Sequence, residues 1–493
     1  MSKIIPTLLC DYYKVSHIAQ YPAGTETIYS TWIPRSNKFF PRADKVVAFK
    51  FQAFIKKYLI NYFNDNFFNR KKEDVIDEYK RYMKHTLFIE NPNTVHISDL
   101  HDLGYLPIKI KAVKEGTRVP IRVPMLTIEN TDKRFFWLTN YLETLMSNEL
   151  WMASTSATIA YAYRKLLDEY AIKTTGSTKG VEFQAHDFSM RGMTSLESSI
   201  SSGMGHLLSF VGTDTIPAIM GLEEYYNADI EKEMVGTSIP ATEHSVMCAY
   251  GQTDEFALFK RLMTEVYPNG FFSVVSDTWD LWQVVTEYLP KRKSEVMARN
   301  GRVVIRPDSG DPVLIIVGDP NGKTEAERKG LIECLFDTFG GTVTEQGYKM
   351  LDPHIGAIYG DSITIERAEA IMEGLESKGF ASTNIVFGVG SFTYQYNTRD
   401  TFGFALKSTW AVVNGEERFL FKDPKTDDGM KKSLTGRVAV YENKNGELVC
   451  IDGLNNHAYF SMYAEIDLLE DVFVDGKLVR EQSLSEIRKI LHG

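Results

Sequence analysis

In the middle of the chain, hydrophobic residues occur in short runs that end at Gly, Pro, Asp or Ser. These runs are rich in β-branched and aromatic residues, which predicts buried strands at 181–186, 271–276, 303–305, 355–359 and 385–387. The intervening segments space apolar residues as a helix does, at 194–210, 278–289, 325–338 and 363–375. Strands that alternate with helices indicate parallel strands in βα units. We therefore predict an irregular α/β barrel over residues 151–399.

Both ends of the chain show a different pattern. Residues 107–115 and 122–129 alternate apolar and polar positions, which is typical of half-exposed antiparallel strands. Further strands are predicted at 409–413, 418–421, 438–442 and 447–451, with Asn-Gly turn signals at 414–415 and 445–446. Helices are predicted at 46–63, as a pair within 134–174 with Ser154 or Thr155 capping the second, and at the C-terminus. Residues 1–150 and 400–493 are thus expected to form a second, β-rich mixed domain.

Composition narrows the class of protein. The 493-residue chain has a net charge of −10, which argues against a dedicated binder of nucleic acid or anionic membranes. No segment reaches the roughly 18 apolar residues of a membrane span, and residues 4–10 lack the pattern of a signal peptide. The four cysteines are far apart without a CxxC pair, which predicts reduced thiols in a cytoplasmic protein and no zinc or other metal-ligand set.

Chemistry-bearing residues follow the predicted strands. Arg306 and Asp308 come directly after the run at 303–305, at the rim where barrel enzymes carry catalytic residues. An Arg can grip phosphate oxygens with its planar fork, and an Asp two residues on can hold sugar hydroxyls or a hydrated metal. A surface salt bridge is the alternative for this pair. Charged and polar residues also follow the other predicted strands, which favours a shared binding or catalytic site over an isolated salt bridge.

Two of these strand ends suit a flat ring. Phe188 and Arg191 follow the run at 181–186, so an aromatic ring and a cation are available for stacking. Asp214 follows residues 211–213 and can accept a hydrogen bond from a substrate N–H. The alternatives are a core position for Phe188 and a helix cap for Asp214.

Further strand ends carry hydroxyls, acids, glycines and a histidine. His244 follows Ser238 and Ala241 in a Pro-containing loop and is a competent nucleophile toward phosphoryl groups. Hydroxyls and an acid recur at Ser273, Ser276 and Asp277, where a helix cap is the alternative. The pairs Gly360-Asp361 and Gly390-Ser391 follow the last two strands, where barrels often build phosphate sites from backbone N–H groups.

A P-loop-like stretch offers a competing interpretation. Residues 313–317 look like a strand and precede Gly318, Gly322, Lys323 and Thr324. Only three residues separate the two glycines, where the motif needs four, and Pro320 lacks an N–H that would face phosphate. A P-loop-like NTPase is therefore the weaker hypothesis.

With these motifs laid out, the chain resembles the nicotinamide phosphoribosyltransferase family, of the type II phosphoribosyltransferases, across nearly its whole length. The matching motifs are Asp11-x-Tyr13-Lys14, HDFxxRG at 186–192, GTDT at 212–215, SxPAxEHS at 238–245, SVVSD at 273–277, IRPDSG at 305–310, GD at 360–361, TRD at 398–400 and FKDP at 421–424. The resemblance implies transfer of phosphoribosyl from phosphoribosyl pyrophosphate (PRPP) to nicotinamide, giving nicotinamide mononucleotide (NMN) and pyrophosphate. It further implies Mg²⁺, ATP as a co-substrate acting through a phosphohistidine, and a homodimer with shared active sites.

The resemblance also implies roles by position. Phe188 would stack on one face of the pyridine ring, and Tyr13 of the partner subunit would stack on the other. Asp214 would accept the carboxamide N–H, and Arg191 would lie near the ring. Ser238, Ala241 and Ser273 would line the substrate site. Ribose and phosphate would be held by Arg306, Asp308, Gly360, Asp361, Gly390 and Ser391. Pyrophosphate or ATP phosphates would be bound by Arg35, Arg399, Lys407 and Lys422. His244 would be phosphorylated, with Asp277 in the catalytic set.

This chain departs from the family pattern at two places. The glycine-rich loop here is Gly388-Val-Gly390-Ser391-Phe392, with fewer glycines, and Ala405 replaces a serine of the phosphate cluster. The nearest alternative activity is nicotinate phosphoribosyltransferase, which Asp214 opposes because a carboxylate repels the nicotinate carboxylate. A non-catalytic interaction protein of the same fold is a third hypothesis, against which Arg306, Asp308 and His244 count.

Overall fold

The computed structural model describes residues 4–422 and 433–493. The chain divides into two compact units. Unit 1 comprises Met1–Thr158, Gly221–Ala228 and Asn397–Gly493, and unit 2 comprises Ile159–Met220 and Asp229–Tyr396. The segment Gly221–Ala228, which lies inside the predicted barrel range, groups with unit 1.

Unit 2 is built on a six-stranded sheet in which every pairing between neighbours is parallel. Its strands are almost wholly buried because their β-branched and aromatic residues are covered on both faces. In spatial order they are Gly212–Thr213, Ala185–Asp187, Ile385–Val389, Ile355–Tyr359, Val303–Arg306 and Phe272–Val275.

The two edge strands of this sheet both pair with one intervening segment. Isolated parallel bridges join Gly212 to Thr237 and Ala241 to Ser273. The N–H of Thr213 donates to the Thr237 carbonyl at 2.9 Å, and the N–H of Ser273 donates to the Pro240 carbonyl at 2.8 Å. Residues 237–241 thus connect the two edge strands of the sheet through a few hydrogen bonds, and this connection closes the sheet irregularly. The prediction of an irregular α/β barrel is confirmed.

The longer helices of unit 2 follow its strands, as a βα arrangement requires. They are Leu196–His206, Ile216–Tyr226 (which runs into the Gly221–Ala228 segment of unit 1), His244–Tyr250, Glu255–Arg261, Pro312–Val317, Glu325–Lys329, Leu331–Phe339 and Ile365–Ser377, with Ser391–Tyr394 after the last strand. Between 281 and 297 lie Leu281–Gln283, Leu289–Lys291 and Lys293–Met297, with π-helical turns at Val284–Tyr288 and, earlier, Leu262–Val266. A small hairpin pairs Gly341–Val343 with Lys349–Leu351.

Unit 1 contains a seven-stranded antiparallel sheet drawn from both ends of the chain. Thr25–Ile33 pairs with Ala405–Val413 on one side and with Leu126–Asn130 on the other. The spatial order is Glu416–Phe419, Ala405–Val413, Thr25–Ile33, Leu126–Asn130, Ile108–Ala112, Glu470–Val474 and Lys477–Leu478. Two smaller sheets pair Arg437–Glu442 with Leu448–Leu454 and Lys45–Val47 with Arg118–Pro120.

The core of unit 1 is aromatic. Trp32 and Phe404 are fully buried and stack with ring centroids 5.3 Å apart, so a residue from each end of the chain contributes to one core. The main helices are Tyr12–Gln20, Phe51–Phe54 with π-helical Ile55–Tyr62 and Asn64–Phe68, Lys72–Thr86, Val95–Leu103, Leu138–Tyr141 and Leu484–His492. No helix in the described parts of the chain is both long and apolar enough to cross a membrane.

Three predicted elements differ most from the structure in kind or in bounds. The helix predicted at 46–63 starts only at Phe51, because Lys45–Val47 forms a strand. The predicted helix pair in 134–174 is mostly one helix, Glu143–Thr175, and Ser154 and Thr155 are no caps: their hydroxyls donate to the carbonyls of Phe49 and Trp151. The strand predicted at 181–186 begins at Ala185, after a 3₁₀ turn.

The P-loop-like stretch also differs from its prediction. Residues 313–317, interpreted as a strand, belong to the helix Pro312–Val317, which Asp311 caps by accepting from the N–H groups of Val313 and Leu314. Thr324 caps the next helix in a capping box with Glu327. The strand that a P-loop requires is therefore missing here.

Candidate active site

A cavity of about 1310 Å³ opens in unit 2 at the carboxyl ends of the parallel strands. Strand ends converge there because all six strands run in one direction. Ten of the predicted site residues line this cavity: Phe188, Arg191, Asp214, Ala241, Arg306, Asp308, Gly360, Asp361, Gly390 and Ser391. Four others in unit 2, Ser238, Ser273, His244 and Asp277, do not line it.

Phe188 occupies space that two glycines leave open. A Cβ atom at Gly388 would lie 2.4 Å from Phe188 Cδ2, and one at Gly360 would lie 3.2 Å from Phe188 Cε2. The first distance is shorter than any van der Waals contact, so a side chain at 388 would displace the ring. The ring is half-buried at the cavity wall, and the Phe188 N–H donates to the Val389 carbonyl at 3.0 Å.

Asp214 is held by two side chains at one of its oxygens. His186 Nε2 lies 2.9 Å from Asp214 Oδ1, and the Ser238 hydroxyl donates to the same atom at 2.6 Å. Burial opposes ionisation of this carboxyl, but the hydrogen bonds from His186 and Ser238 outweigh it and hold the pKa of Asp214 below its ordinary value. Asp214 is therefore an ionised acceptor at neutral pH. Ser238 reaches the site through Asp214 and not by lining the cavity.

Arg306 and Asp308 form the cationic and acidic pair at the centre of the rim. Arg306 Nη2 donates to the Thr242 carbonyl at 2.7 Å, and Arg306 Nε lies 3.4 Å from Asp308 Oδ2. Burial raises the pKa of Asp308 above its ordinary value, Arg306 opposes that shift, and the charges of Asp277 and Asp361 add to it. The guanidinium is thus fixed in direction, with further N–H groups available to an anion in the cavity.

Asp277 supports this pair from beneath and faces His244. Its Oδ2 accepts the Asp308 N–H at 2.8 Å and the Ser309 hydroxyl at 2.6 Å. Its Oδ1 lies 3.3 Å from His244 Nε2, outside hydrogen-bond geometry. The Asp277 side chain is only 4% exposed, whereas that of His244 is 50% exposed at the start of its helix. A buried carboxylate thus faces one nitrogen of an accessible imidazole.

Ser273 remains apart from the cavity. It lies inside the strand Phe272–Val275, is 3% exposed, and its hydroxyl has no hydrogen-bond partner among the described residues. The structure places it next to Ala241 through the bridge that closes the sheet. Its predicted contact with substrate stays a prediction.

The remaining predicted residues gather in unit 1. Burial lowers the pKa of Lys407, and the nearby charges of Arg35, Lys422 and Arg399 lower it further, while Glu143 opposes them. Lys407 therefore lies close enough to the other three cations predicted to bind phosphates for their charges to act on it. Asp423 and Pro424 of the FKDP motif fall outside the described residues.

Tyr13 lies beside this cationic group. It is 57% exposed and lines a cavity of about 250 Å³ in unit 1, together with Asp11, Glu143, Trp151 and Arg399. Lys14, adjacent to it, forms an ion pair with Glu143. Tyr13 lies beside Arg399, and Lys407 is close to Arg35, Arg399 and Lys422; we call Tyr13 and these four cations, which are exposed or partly exposed, the unit 1 cationic surface.

Family models match most of the chain. The nicotinate phosphoribosyltransferase (NAPRTase) family model matches residues 183–474, and the model of the nicotinamide phosphoribosyltransferase N-terminal domain matches residues 6–110. A protein of Acinetobacter baylyi named nicotinamide phosphoribosyltransferase is 49% identical over 99% of this chain and 97% of its own length. The chain belongs to the nicotinamide phosphoribosyltransferase family. This confirms the resemblance stated from the motifs and makes the protein a phosphoribosyltransferase, a pentosyltransferase.

Other relatives agree with this assignment to the nicotinamide phosphoribosyltransferase family. A Mycoplasma pneumoniae protein of the same name is 36% identical over 89% of this chain and 95% of its own length. Among solved structures, human nicotinic acid phosphoribosyltransferase superposes with a TM-score of 0.54 at 15% identity, covering 98% of this chain and 93% of that one. A Pyrococcus furiosus nicotinate-nucleotide pyrophosphorylase gives 0.55 at 15% identity, covering 99% and 94%. These two likenesses show the shared fold.

Proposed function

We propose that this protein transfers the 5-phosphoribosyl group of PRPP to nicotinamide, giving NMN and pyrophosphate as a step of NAD biosynthesis. The observation that carries the proposal is the single cavity with Phe188 and Asp214 beside Arg306 and Asp308. An aromatic ring and an acceptor suit a flat amide, and a fixed guanidinium suits a sugar phosphate. The names of the relatives at 49% and 36% identity support the same reaction.

Asp214 supports nicotinamide over nicotinate as the substrate. Oδ1 is occupied by His186 and Ser238, so Oδ2 is the oxygen that would accept the carboxamide N–H. Nicotinate would bring a second carboxylate toward an ionised Asp214, which repels it in a partly buried site. Because the pKa of Asp214 lies below its ordinary value, this selection holds at neutral and mildly acidic pH and weakens only as pH falls through that pKa.

The sugar phosphate would occupy the other side of the cavity. Arg306 would pair with phosphate oxygens, Asp308 and Asp361 with ribose hydroxyls, and the Gly360, Gly390 and Ser391 turns with phosphate through backbone N–H groups. Apart from its two chain neighbours, no residue in the described part of the chain has an atom within 4 Å of the position of a Cβ at Gly390, so backbone and ligand can approach closely there. The chain's residues orient the anomeric carbon toward the ring, and the neutral pyridine nitrogen needs no general base.

The donor set also fits Mg²⁺ as the cofactor. Four carboxylates line the cavity, and two of them, Asp308 and Asp361, lie on the side proposed for the sugar phosphate. No group of three or more metal-binding side chains occurs among the residues described. Mg²⁺ is usually held by one or two carboxylates together with substrate phosphates and water, which is what this cavity offers. When bound, Mg²⁺ neutralises charge on the departing pyrophosphate.

We expect initial rates with nicotinamide to exceed those with nicotinate, and Asp214→Asn to reduce that preference by roughly 10–100-fold, because the repulsion of a carboxylate is removed. Steady-state kcat/KM for both substrates measures it. Asp254→Asn, at an exposed acid of unit 2, is the matched control and should leave the preference unchanged. A faster rate with nicotinate in the unaltered protein would reject the substrate assignment.

ATP coupling through His244 is a further part of the proposal. Because His244 Nε2 faces Asp277, Nδ1 is the nitrogen that would accept the phosphoryl group of ATP, releasing ADP. The buried Asp277 carboxylate would hold the ring orientation and stabilise positive charge on the imidazole. Half-exposure of the His244 side chain leaves it accessible to a nucleotide.

We expect His244→Ala to make NMN formation insensitive to ATP while transfer without ATP persists, because the phosphoryl acceptor is lost. Product yield with and without ATP is the measurement. Lys323→Ala, in the P-loop-like stretch, is the control and should retain coupling. Loss of ATP turnover in Lys323→Ala, or coupling that survives His244→Ala, would favour the NTPase hypothesis instead.

The unit 1 cationic surface would complete the site of a partner subunit in a homodimer. Its exposed Tyr13 offers a second aromatic ring, and Arg35, Arg399, Lys407 and Lys422 offer positive charge for pyrophosphate. The repulsion of Lys407 by the three other cations is costly unless an anion binds among them. A shared site accounts for their accumulation on an acidic protein.

A shared site predicts complementation between two damaged chains. Tyr13→Ala and Phe188→Ala should each be nearly inactive, whereas their co-expression should restore roughly a quarter of full activity, since half of randomly assorted dimers are mixed and each has one intact site. Specific activity of the purified mixture is the measurement, with separately purified variants combined just before assay as the control. Activity equal to the mean of the two variants would place both residues in a site of one chain.

A further inference from the structure

Asp187 directly precedes Phe188, which lines the cavity, but does not line the cavity itself. It is the last residue of the strand Ala185–Asp187 and is 0% exposed. Its Oδ1 accepts the N–H of Ser189 at 2.9 Å, and its Oδ2 accepts the hydroxyl of Thr215 at 2.8 Å. Its backbone carbonyl accepts the Asp214 N–H at 3.0 Å. Asp187 therefore contacts both the loop that contains Phe188 and Ser189 and the loop that contains Asp214 and Thr215.

The two loops that Asp187 holds are the ones that present the ring-binding groups. Ser189 directly follows Phe188, and Thr215 directly follows Asp214. Phe188 and Asp214 line the cavity, whereas Asp187 and Thr215 do not. Asp187 therefore cannot touch a substrate in the cavity, and any effect on binding would act through its neighbours.

A purely local role does not account for the carboxylate. The bond from Ser189 N–H to Oδ1 closes a turn of the kind that Asn makes equally well. A fully buried carboxylate is costly unless both of its oxygens are hydrogen-bonded. The local turn uses only Oδ1. The second oxygen, Oδ2, accepts from Thr215 in the neighbouring loop, so a carboxylate provides a contact that the turn alone does not require.

Thr215 is fixed from two sides. It is 0% exposed, its N–H donates to Thr213 Oγ1 at 3.0 Å, and its hydroxyl donates to Asp187. The hydroxyl is a second side-chain link between the Asp214 loop and the segment that leads to Phe188, in addition to the contact of His186 with Asp214. Removing only this hydroxyl would leave the local turn at Asp187 and the strand pairing in place.

We infer that Asp187 is a positioning residue that, through the Ser189 N–H and the Thr215 hydroxyl, sets the separation of Phe188 and Asp214 and thereby determines affinity for a flat ring bearing an amide. This inference rests on the proposed function. Displacements of about 1 Å at binding groups can change rates up to 100-fold, so a single hydrogen bond between the loops has a measurable effect on the ring substrate.

The test uses Thr215→Val in the full-length protein, which keeps the shape of the side chain and removes the hydroxyl. KM for nicotinamide should rise roughly tenfold, while KM for PRPP stays within about twofold, since Arg306 and the glycine turns are not attached to Thr215. Thr215→Ser restores a hydroxyl and should recover most of the affinity. Steady-state kinetics with each substrate varied in turn gives both constants.

Thr174→Val is the matched control, because Thr174 is also a fully buried threonine of unit 2, with its hydroxyl bonded to the Tyr170 carbonyl at 2.7 Å. It should lose stability without changing either KM. Equal changes in both KM values for Thr215→Val, no change in either, or failure of Thr215→Ser to rescue would overturn the inference.

Crystal structures of the unaltered protein and Thr215→Val separate this inference from the proposed function. A shift of about 1 Å between the Phe188 ring and the Asp214 carboxylate supports positioning by Asp187, whichever substrate the enzyme uses. Unchanged positions contradict it. Absence of nicotinamide turnover in the unaltered protein would instead count against the proposed function alone.

Discussion

The site depends on one constraint: the strands of unit 2 run parallel, so their carboxyl ends meet at one edge. Phe188, Asp214, Arg306, Gly360 and Gly390 are scattered over about 200 positions of the sequence, yet each stands at or just past the end of a strand. Antiparallel pairing of any one strand would send its terminal group to the opposite edge. The common direction of the strands therefore determines which side chains share the cavity.

The positions of the cavity-lining side chains also depend on space left by glycines and on hydrogen bonds from groups outside the cavity. Glycines at 388 and 360 admit the Phe188 ring, and His186 and Ser238 keep Asp214 ionised at its cavity-facing position. On the other side, Asp277 anchors the backbone of Asp308. Polar groups that do not reach the cavity thus orient the ones that do, as preorganised binding sites require.

Much of this could be predicted from the sequence because it depends on local signals. Hydrophobic runs ending at turn residues located five of the six strands, and the polar residues at their ends marked the cavity lining. Predictions failed where tertiary contacts override local pattern, as in the helix Glu143–Thr175, where the Ser154 hydroxyl donates to the distant Phe49 carbonyl instead of capping a helix.

The role of His186 was missed, although a signal existed. In a strand, residues two apart point to the same face, so His186 shares a face with Phe188, a predicted site residue. Its contact with Asp214 spans 28 residues of sequence and depends on the pairing of Ala185–Asp187 with Gly212–Thr213, which periodicity alone does not reveal. The link from Asp187 to Thr215 was hidden for the same reason.

The central claim is that one cavity brings a pyridine amide to the anomeric carbon of a phosphorylated sugar. Mass spectrometry of the products after incubation with nicotinamide, PRPP and Mg²⁺ tests it most directly. The account predicts NMN and pyrophosphate in equal amounts, with no NMN when PRPP is omitted. Consumption of neither substrate by folded protein would contradict it.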